Sequence, residues 1–202
     1  MEKSKEQRGR TRWGRAAVVA VPALGAIGAM TAAMAQGLLA ATFAVSGVPM
    51  TVKSGQMQGT GFAGTVYEAA GQGVTYVGLT QANLDGLCAA VSPTVPIVGV
   101  VTLKITAGDA DPATTELSAG NLLLDAKNLT GNGEFTGLKL GISSAAMDVG
   151  PTEVRKGAGD FGLQAGTAKV TGLNASALSA QVAGTFKLDN LSLGVTAGQS
   201  SC

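Results

Sequence analysis

Apolar residues alternate with small or polar residues over most of the chain after position 41. The alternation is clearest at residues 42–46, 74–77, 100–105, 138–142 and 191–195. Because successive side chains of a strand point to opposite faces of a sheet, a period of two indicates strands with one buried face. Many of the 30 glycines lie between these segments, where turns need positive φ. The pattern therefore predicts an all-β fold.

Residues 41–202 are predicted to form a single β domain. Short strands with glycine-rich turns are typical of an antiparallel β-sandwich or flattened barrel. The main alternative is an elongated β-solenoid of stacked hairpins, because three segments (79–84, 124–129 and 173–178) each carry two leucines five residues apart. A mixed α/β fold is the third possibility.

Three segments between the strands carry their own expectations. Residues 80–91 contain the best helical candidate, at most a short turn near Cys88. The charged, glycine-rich stretch 147–162 is predicted to be an exposed loop, and 109–116 a hairpin tip.

The first 40 residues follow a different pattern and are predicted to be a signal peptide. Six basic residues precede an apolar run, and residues 16–52 carry no charge. A cationic start, an apolar middle and a small-residue exit are typical of a secretory leader. The protein is therefore expected to be secreted, either extracellular or at the cell surface. The alternative is an uncleaved, membrane-anchoring helix, since twenty helical residues span about 30 Å.

The cleavage point is predicted between residues 35 and 41. Ala33 and Ala35 place small side chains at the −3 and −1 positions of a cut after Ala35, which is the favoured site. Ala40 and Ala41 satisfy only the −1 position. The leader holds six of the 14 basic and two of the 13 acidic residues, so the remainder carries eight against eleven, a net charge of −3. This balance, without a basic cluster, argues against nucleic-acid binding.

The composition also argues against an enzyme. The chain has no histidine, so Ser-His-Asp and Cys-His catalysis lack their imidazole, and no Gly-x-Ser-x-Gly turn occurs. Paired carboxylates remain available for glycoside hydrolysis, but the sole tryptophan, Trp13, lies in the leader, so sugar-stacking aromatics are few. We predict a protein without catalytic residues or cofactors.

Asp109, Asp111 and Glu116 form the one weak candidate for a metal site. Three carboxylates on a flexible loop suit calcium, but the spacing does not match an EF-hand, so a solvated acidic loop is the preferred interpretation.

The two cysteines, Cys88 and Cys202, are predicted to form an intramolecular disulfide. An even count in an exported protein indicates a bridge, and dimerisation through Cys202 is the alternative.

Several segments occur in a recognisable order. Arg12-Trp13 stands before the apolar run, followed by Leu-Ala-Ala-Thr-Phe-Ala-Val-Ser-Gly (39–47), Gly-Thr-Gly-Phe-Ala (59–63), Leu-Asp-Gly-Leu-Cys (84–88), Val-Thr-Leu-Lys-Ile-Thr-Ala-Gly-Asp (101–109), Ala-Gly-Thr-Phe-Lys-Leu (183–188) and a terminal cysteine. Together they resemble a family of exported actinobacterial proteins, common in Streptomyces, whose function is unassigned. The resemblance implies export and association with the envelope of a Gram-positive cell. Members are sometimes labelled cholesterol esterase, a label that a chain without histidine contradicts.

Three functions are therefore weighed. The first is a non-enzymatic, envelope-associated structural or interaction protein that assembles with itself or with a membrane or envelope partner. The second is a carrier of an apolar, lipid-like ligand, which needs a cavity of about 300 Å³ or more. An esterase is the least favoured.

Overall fold

Extended backbone accounts for most of the structure, as the period-two pattern predicts. The computed structural model describes residues 41–43, 48–69, 71–109, 111, 113–157 and 159–202. Their strands are β1 (Ala41–Phe43), β2 (Met50–Ala69), β3 (Gln72–Leu84), β4 (Gly86–Val91), β5 (Thr94–Val95), β6 (Gly99–Gly108), β7 (Leu117–Thr136), β8 (Lys139–Ile142), β9 (Gly162–Val182), β10 (Phe186–Lys187) and β11 (Ser192–Ala197). A 3₁₀ turn (Ser144–Ala146) and a short helix α1 (Thr152–Arg155) lie between β8 and β9.

Every recorded strand pairing is antiparallel, and four long strands pair in a closed cycle. β2 pairs with β3, β3 with β7, β7 with β9, and β9 again with β2. β4 takes over from β3 along the same side of β2, and the sheet then continues outward through β6 to β11. We call β4, β6 and β11 the wing. The prediction of an all-β antiparallel, sandwich-like fold is confirmed, and its pairings are not those of a solenoid.

The main core lies between the inner faces of these strands. Its large members include Met57, Phe62, Leu79, Leu117 and Leu173. The rest of the buried surface is rich in alanine: Ala82, Ala89, Ala119, Ala126, Ala165, Ala168, Ala175 and Ala177. Small side chains let the facing strands approach closely, but they contribute little apolar area each.

The connection between β8 and β9 covers part of the outer surface, so the prediction of an exposed loop at 147–162 is wrong for its buried positions. Met147 and Val154 are buried there against Ala63 and Leu123. Their apolar side chains close a second, smaller core, a role that the high charge and glycine content of the segment hides.

Gln164 on β9 holds this connection in place through hydrogen bonds to Asp148. Its buried side chain donates to the Asp148 carboxylate, and its Oε1 accepts from the Asp148 backbone N–H at 2.9 Å. The hydrogen bond from Gln164, with the charge of Lys139 at 3.7 Å, lowers the pKa of Asp148.

Two further local predictions are wrong. Residues 80–91 hold no helical turn, because β3 runs to Leu84 and β4 begins at Gly86, leaving Asp85 as a break between two strands. Residues 109–116 do not form a hairpin tip, since β6 and β7 have different partners and the segment crosses from the wing to the closed cycle.

Asp85 holds the point where β2 changes partner from β3 to β4. Its Oδ1 accepts hydrogen bonds from Gln56 N (2.8 Å), Gly86 N (2.6 Å) and Ser54 Oγ (3.3 Å), and the residue is 1% exposed. Gly55 lies against the same carboxylate, where a Cβ atom would stand 2.6 Å from Asp85 Oδ2. The carboxylate thus replaces the strand-to-strand bonds that are missing at the break.

Replacing Asp85 is expected to destabilise the fold strongly. Asp85→Ala leaves buried N–H groups without an acceptor, so the free energy of unfolding should fall by about 3 kcal/mol. Asp85→Asn retains one acceptor oxygen and should lose less. Urea unfolding followed by circular dichroism measures both, with the exposed Asp160→Ala as control. Equal stability of Asp85→Ala and the control would contradict the assignment.

Candidate functional site

The outer face of the wing is covered by residues 198–202, the C-terminal tail. Cys88 on β4 and Cys202 in the tail have their sulfurs 2.13 Å apart and their Cα atoms 5.7 Å apart, which is disulfide geometry. The intramolecular pair expected from the even cysteine count is therefore present, and the sulfur of Cys202 is occupied within its own chain.

Hydrogen bonds hold the tail along its length. The Thr102 hydroxyl, fully buried on β6, donates to Gly198 O at 2.8 Å and accepts from Ser200 N at 3.0 Å. Lys53 Nζ donates to Cys202 O at 3.0 Å. The tail is thus a polar cover over the outer face of the wing.

The inner face of the wing stays apolar to its edge. Leu103 and Ile105 on β6 pack against the main core. On β11, Val195 pairs with Leu103 and Leu193 with Ile105, yet these two residues are 66% and 65% exposed. The apolar face of the core therefore extends over the last strand without a cover among the described residues.

One end of the wing is an apolar hairpin tip, residues 95–100, which comprises the end of β5, the turn after it and the start of β6. Val95, Ile97, Val98 and Val100 are all exposed there, and Ile97 is completely so. Residues 86–103 contain no charged side chain. We call residues 95–100 the apolar tip.

Ile97 also has an unfavourable backbone conformation. Its φ is 76°, a region in which a β-branched residue is a true outlier. Strain of this kind costs about 1–3 kcal/mol and is concentrated at sites of function. A glycine would adopt this φ without strain, so the turn itself does not require an isoleucine at this position.

The interior contains an apolar cavity of about 120 Å³. It lies in the main core, and its lining includes Leu79, Leu124, Leu173 and Phe135. Drug-sized ligands need about 300 Å³ or more, whereas an engineered cavity of about 150 Å³ holds benzene. The space therefore suits a small apolar group and is below the size expected for a lipid carrier.

A polar groove of about 600 Å³ opens on the surface between β2, β3, β7 and β9. Glu134 is its one carboxylate, and Lys169 is its one basic residue. Because glycoside hydrolysis needs two carboxyl groups across the scissile bond, this groove does not provide that machinery.

The acidic loop does not assemble its three carboxylates around a common point. Asp109 Oδ1 accepts from Asp111 N, and Asp111 Oδ1 accepts from Ala113 N, both at 2.9 Å. Glu116 accepts from the Thr114 hydroxyl. Within the described parts of the chain no group of three acidic, cysteine or histidine side chains could hold a metal ion. The carboxylates of Asp109 and Asp111 thus serve turns of their own backbone, whereas the second carboxylate oxygen of Glu116 is buried without a hydrogen-bond partner among the described residues.

A polar cluster on the outer face was not foreseen from the sequence. Asp125 accepts from the Tyr67 hydroxyl and from the Ser179 hydroxyl, both at 2.8 Å, and so ties β2, β7 and β9 together. Burial and then this hydrogen bond raise the pKa of Tyr67 to about 12. The phenol is therefore neutral at ordinary pH, a donor rather than a base. No local pattern signals the cluster, because its members are more than 50 residues apart.

The predicted cleavage region is only partly covered. Ala33, Ala35 and Ala40 lie outside the described residues, whereas Ala41 begins β1 and pairs with Val182. Cleavage of a leader stays a prediction. In the part of the chain that the structure describes, no helix has the length and hydrophobicity needed to cross a membrane.

Loss of the disulfide is expected to release the tail and to destabilise the protein. The bridge joins residues 114 apart in sequence, and a loop of roughly 100 residues corresponds to about 4.7 kcal/mol in the chain-entropy model. The double variant Cys88→Ser/Cys202→Ser, free of unpaired thiols, should lose a large part of that free energy of unfolding. The Ser200 amide should also exchange faster with solvent.

The matched control for this prediction is the parent protein with and without a reducing agent. Reduction should reproduce the effect of the double variant and leave the double variant itself unchanged. Stability that does not respond to either change would contradict a structural role for the bridge.

Comparison with known proteins supports one part of the family resemblance, namely that the family has no assigned function. No curated protein and no solved structure matches the chain. A family model does match, over residues 46–202, which include the wing, the apolar tip and both cysteines. The prediction of a family without an assigned function is thereby confirmed. The chain belongs to the family of unknown function DUF6230.

Proposed function

We propose that this chain is an exported, non-enzymatic protein that attaches to the cell envelope by inserting its apolar tip into a lipid surface. The observation that carries the proposal is Ile97, fully exposed and held at positive φ at the end of an uncharged hairpin. The disulfide between Cys88 and Cys202 is compatible with an extracellular protein.

The tip has the properties that peripheral insertion requires. Val95, Ile97 and Val98 stand at the end of the hairpin, and Val95 is 39% and Val98 66% exposed, whereas Ile97 is completely exposed. Burial of a fully exposed aliphatic side chain gains about 1.5–3 kcal/mol, so Ile97 contributes most and the two valines contribute in proportion to their exposure. No charge in residues 86–103 would have to be desolvated. The total is comparable to that of a single lipid anchor, which binds membranes weakly and reversibly. Attachment through the tip is therefore peripheral.

The non-enzymatic part of the proposal is supported by the chemistry of the described surface. The polar groove has a single carboxylate, Glu134, and the chain has no histidine. Tyr67, whose pKa is raised to about 12, cannot act as a base near neutral pH. An esterase would need a nucleophile and a base that these groups do not supply.

The test is binding to vesicles of phosphatidylcholine, a neutral lipid chosen because the predicted mature chain is acidic. The exported protein is used, with its N-terminus read by mass spectrometry, because an attached apolar leader would bind membranes by itself. Val98→Asp should lower binding at least tenfold. Leu140→Asp is the matched control, since Leu140 on β8 is 64% exposed and Val98 66%. Equal effects of the two variants, or no binding of the parent, would refute the proposal.

Ile97→Gly separates binding from folding. Glycine adopts positive φ without strain, so the unfolding midpoint should rise or stay constant. Vesicle binding should nevertheless fall, because the most exposed apolar side chain is gone. A variant that unfolds more easily, or that binds as well as the parent, would contradict the role assigned to Ile97.

An alternative function is the transport of an apolar ligand, which the apolar lining of the interior cavity favours. At about 120 Å³ the cavity would have to expand to take a lipid. Native mass spectrometry of the exported protein tests this function directly. A carrier should retain a co-purifying lipid-sized molecule, whereas the membrane-attachment proposal predicts the mass of the protein alone.

A further inference from the structure

The free edge of the wing points to a second binding surface, separate from the apolar tip. We propose that β11 pairs antiparallel with β11 of a second copy of this chain, across a two-fold axis, so that two sheets become continuous. The proposal does not depend on membrane attachment, since it rests on different residues.

The backbone of β11 has one occupied and one open side. Its inner side pairs with β6 from Ser192 opposite Thr106 to Ala197 opposite Val101. No other strand pairs with β11 within the described ranges. An unpaired row of N–H and C=O groups is a template for another strand.

The open groups can be assigned to particular residues. Gly198 N donates to Val100 O at 2.8 Å. Because hydrogen-bonded and non-bonded pairs alternate in an antiparallel ladder, every second residue before Gly198 faces β6 in the same way. Leu193, Val195 and Ala197 therefore turn their N–H and C=O groups outward. Three such residues form a short edge that is available to a partner.

This edge is complementary to itself. In an antiparallel pair centred on Val195, that residue lies opposite its own copy and Leu193 lies opposite Ala197. The six outward N–H and C=O groups of each copy then pair with the six of the other copy, which gives six hydrogen bonds in total. A self-complementary patch is what a two-fold dimer requires.

Charge favours a second copy as the occupant. Natural edge strands are protected from self-pairing by charged side chains or proline, and β11 (Ser-Leu-Gly-Val-Thr-Ala) has neither. Two such edges meet without like charges facing each other, and a charged partner would find no counter-charge on the strand. The small net charge of −3 on the predicted mature chain adds little repulsion between copies.

The surface area buried between the two β11 strands indicates how strongly the two copies associate. Pairing places Val195 beside its own copy and Leu193 beside Ala197 of the other chain, so that residues 66% and 65% exposed gain apolar neighbours on the shared face. Six residues of edge contact bury less than the roughly 1,200 Å² of a stable interface, which places this contact among weak ones. The dimer should therefore form reversibly and dissociate on dilution.

Sedimentation velocity of the exported protein over a hundredfold concentration range tests the proposal. The parent should shift from monomer to dimer with rising concentration. Val195→Lys and Val195→Glu should each remain monomeric, because like charges then face each other at the axis. An equimolar mixture of the two variants should recover the dimer, since the opposite charges attract. Circular dichroism checks that both variants are folded.

Two further measurements distinguish a failure of this proposal from a failure of the membrane-attachment proposal. Val98→Asp should dimerise like the parent, and Val195→Lys should bind vesicles like the parent. A parent that stays monomeric, a dimer that survives in Val195→Lys, or one held by a disulfide on a non-reducing gel would each overturn the proposal.

Discussion

The architecture depends on a single buried carboxylate at the place where one strand serves two neighbours. β2 needs a partner along its full length, and β3 and β4 share that side in succession. Asp85 lies between them and accepts the hydrogen bonds that the interrupted ladder leaves open. Without this acceptor, buried N–H groups would remain unsatisfied, at a cost of about 1–3 kcal/mol each. The closed cycle and the wing diverge from this point.

The divergence gives the wing two unlike faces. The C-terminal tail, bound by Thr102, Lys53 and the disulfide, covers the outer face with polar contacts. The inner face continues the main core to β11 and leaves apolar side chains exposed. The contacts proposed above lie at the tip and at the outer edge of this segment.

Much of the fold was predictable because the signal is local. Period-two alternation identified β3, β6, β8 and β11, and the cysteine count indicated the disulfide. The errors arose where tertiary contacts override local composition. The segment 147–162 has the composition of an exposed loop, but Met147 and Val154 are buried and anchor it to the second core. Asp85 separates two strands in a stretch whose composition allowed a helical turn.

The candidate surface was less predictable for a related reason. The sequence shows that residues 86–103 carry no charge, but it does not distinguish apolar residues that are buried from apolar residues that are exposed. Only the hairpin geometry shows that Ile97 lies in solvent while Val91, a few residues earlier, lies in the core. The cluster of Tyr67, Asp125 and Ser179 depends on strands brought together over long sequence distances, which spacing alone does not reveal.

The closed cycle also has a kinetic consequence. Its final seam joins β2 to β9, strands that are about a hundred residues apart in the chain. Long-range antiparallel seams form slowly, because the entropy of closing a large loop must be lost before any contact compensates it. Until β9 pairs with it, one side of the 20-residue strand β2 has unpaired backbone N–H and C=O groups. A chain that is still folding is therefore most vulnerable to aggregation before β9 has paired with β2.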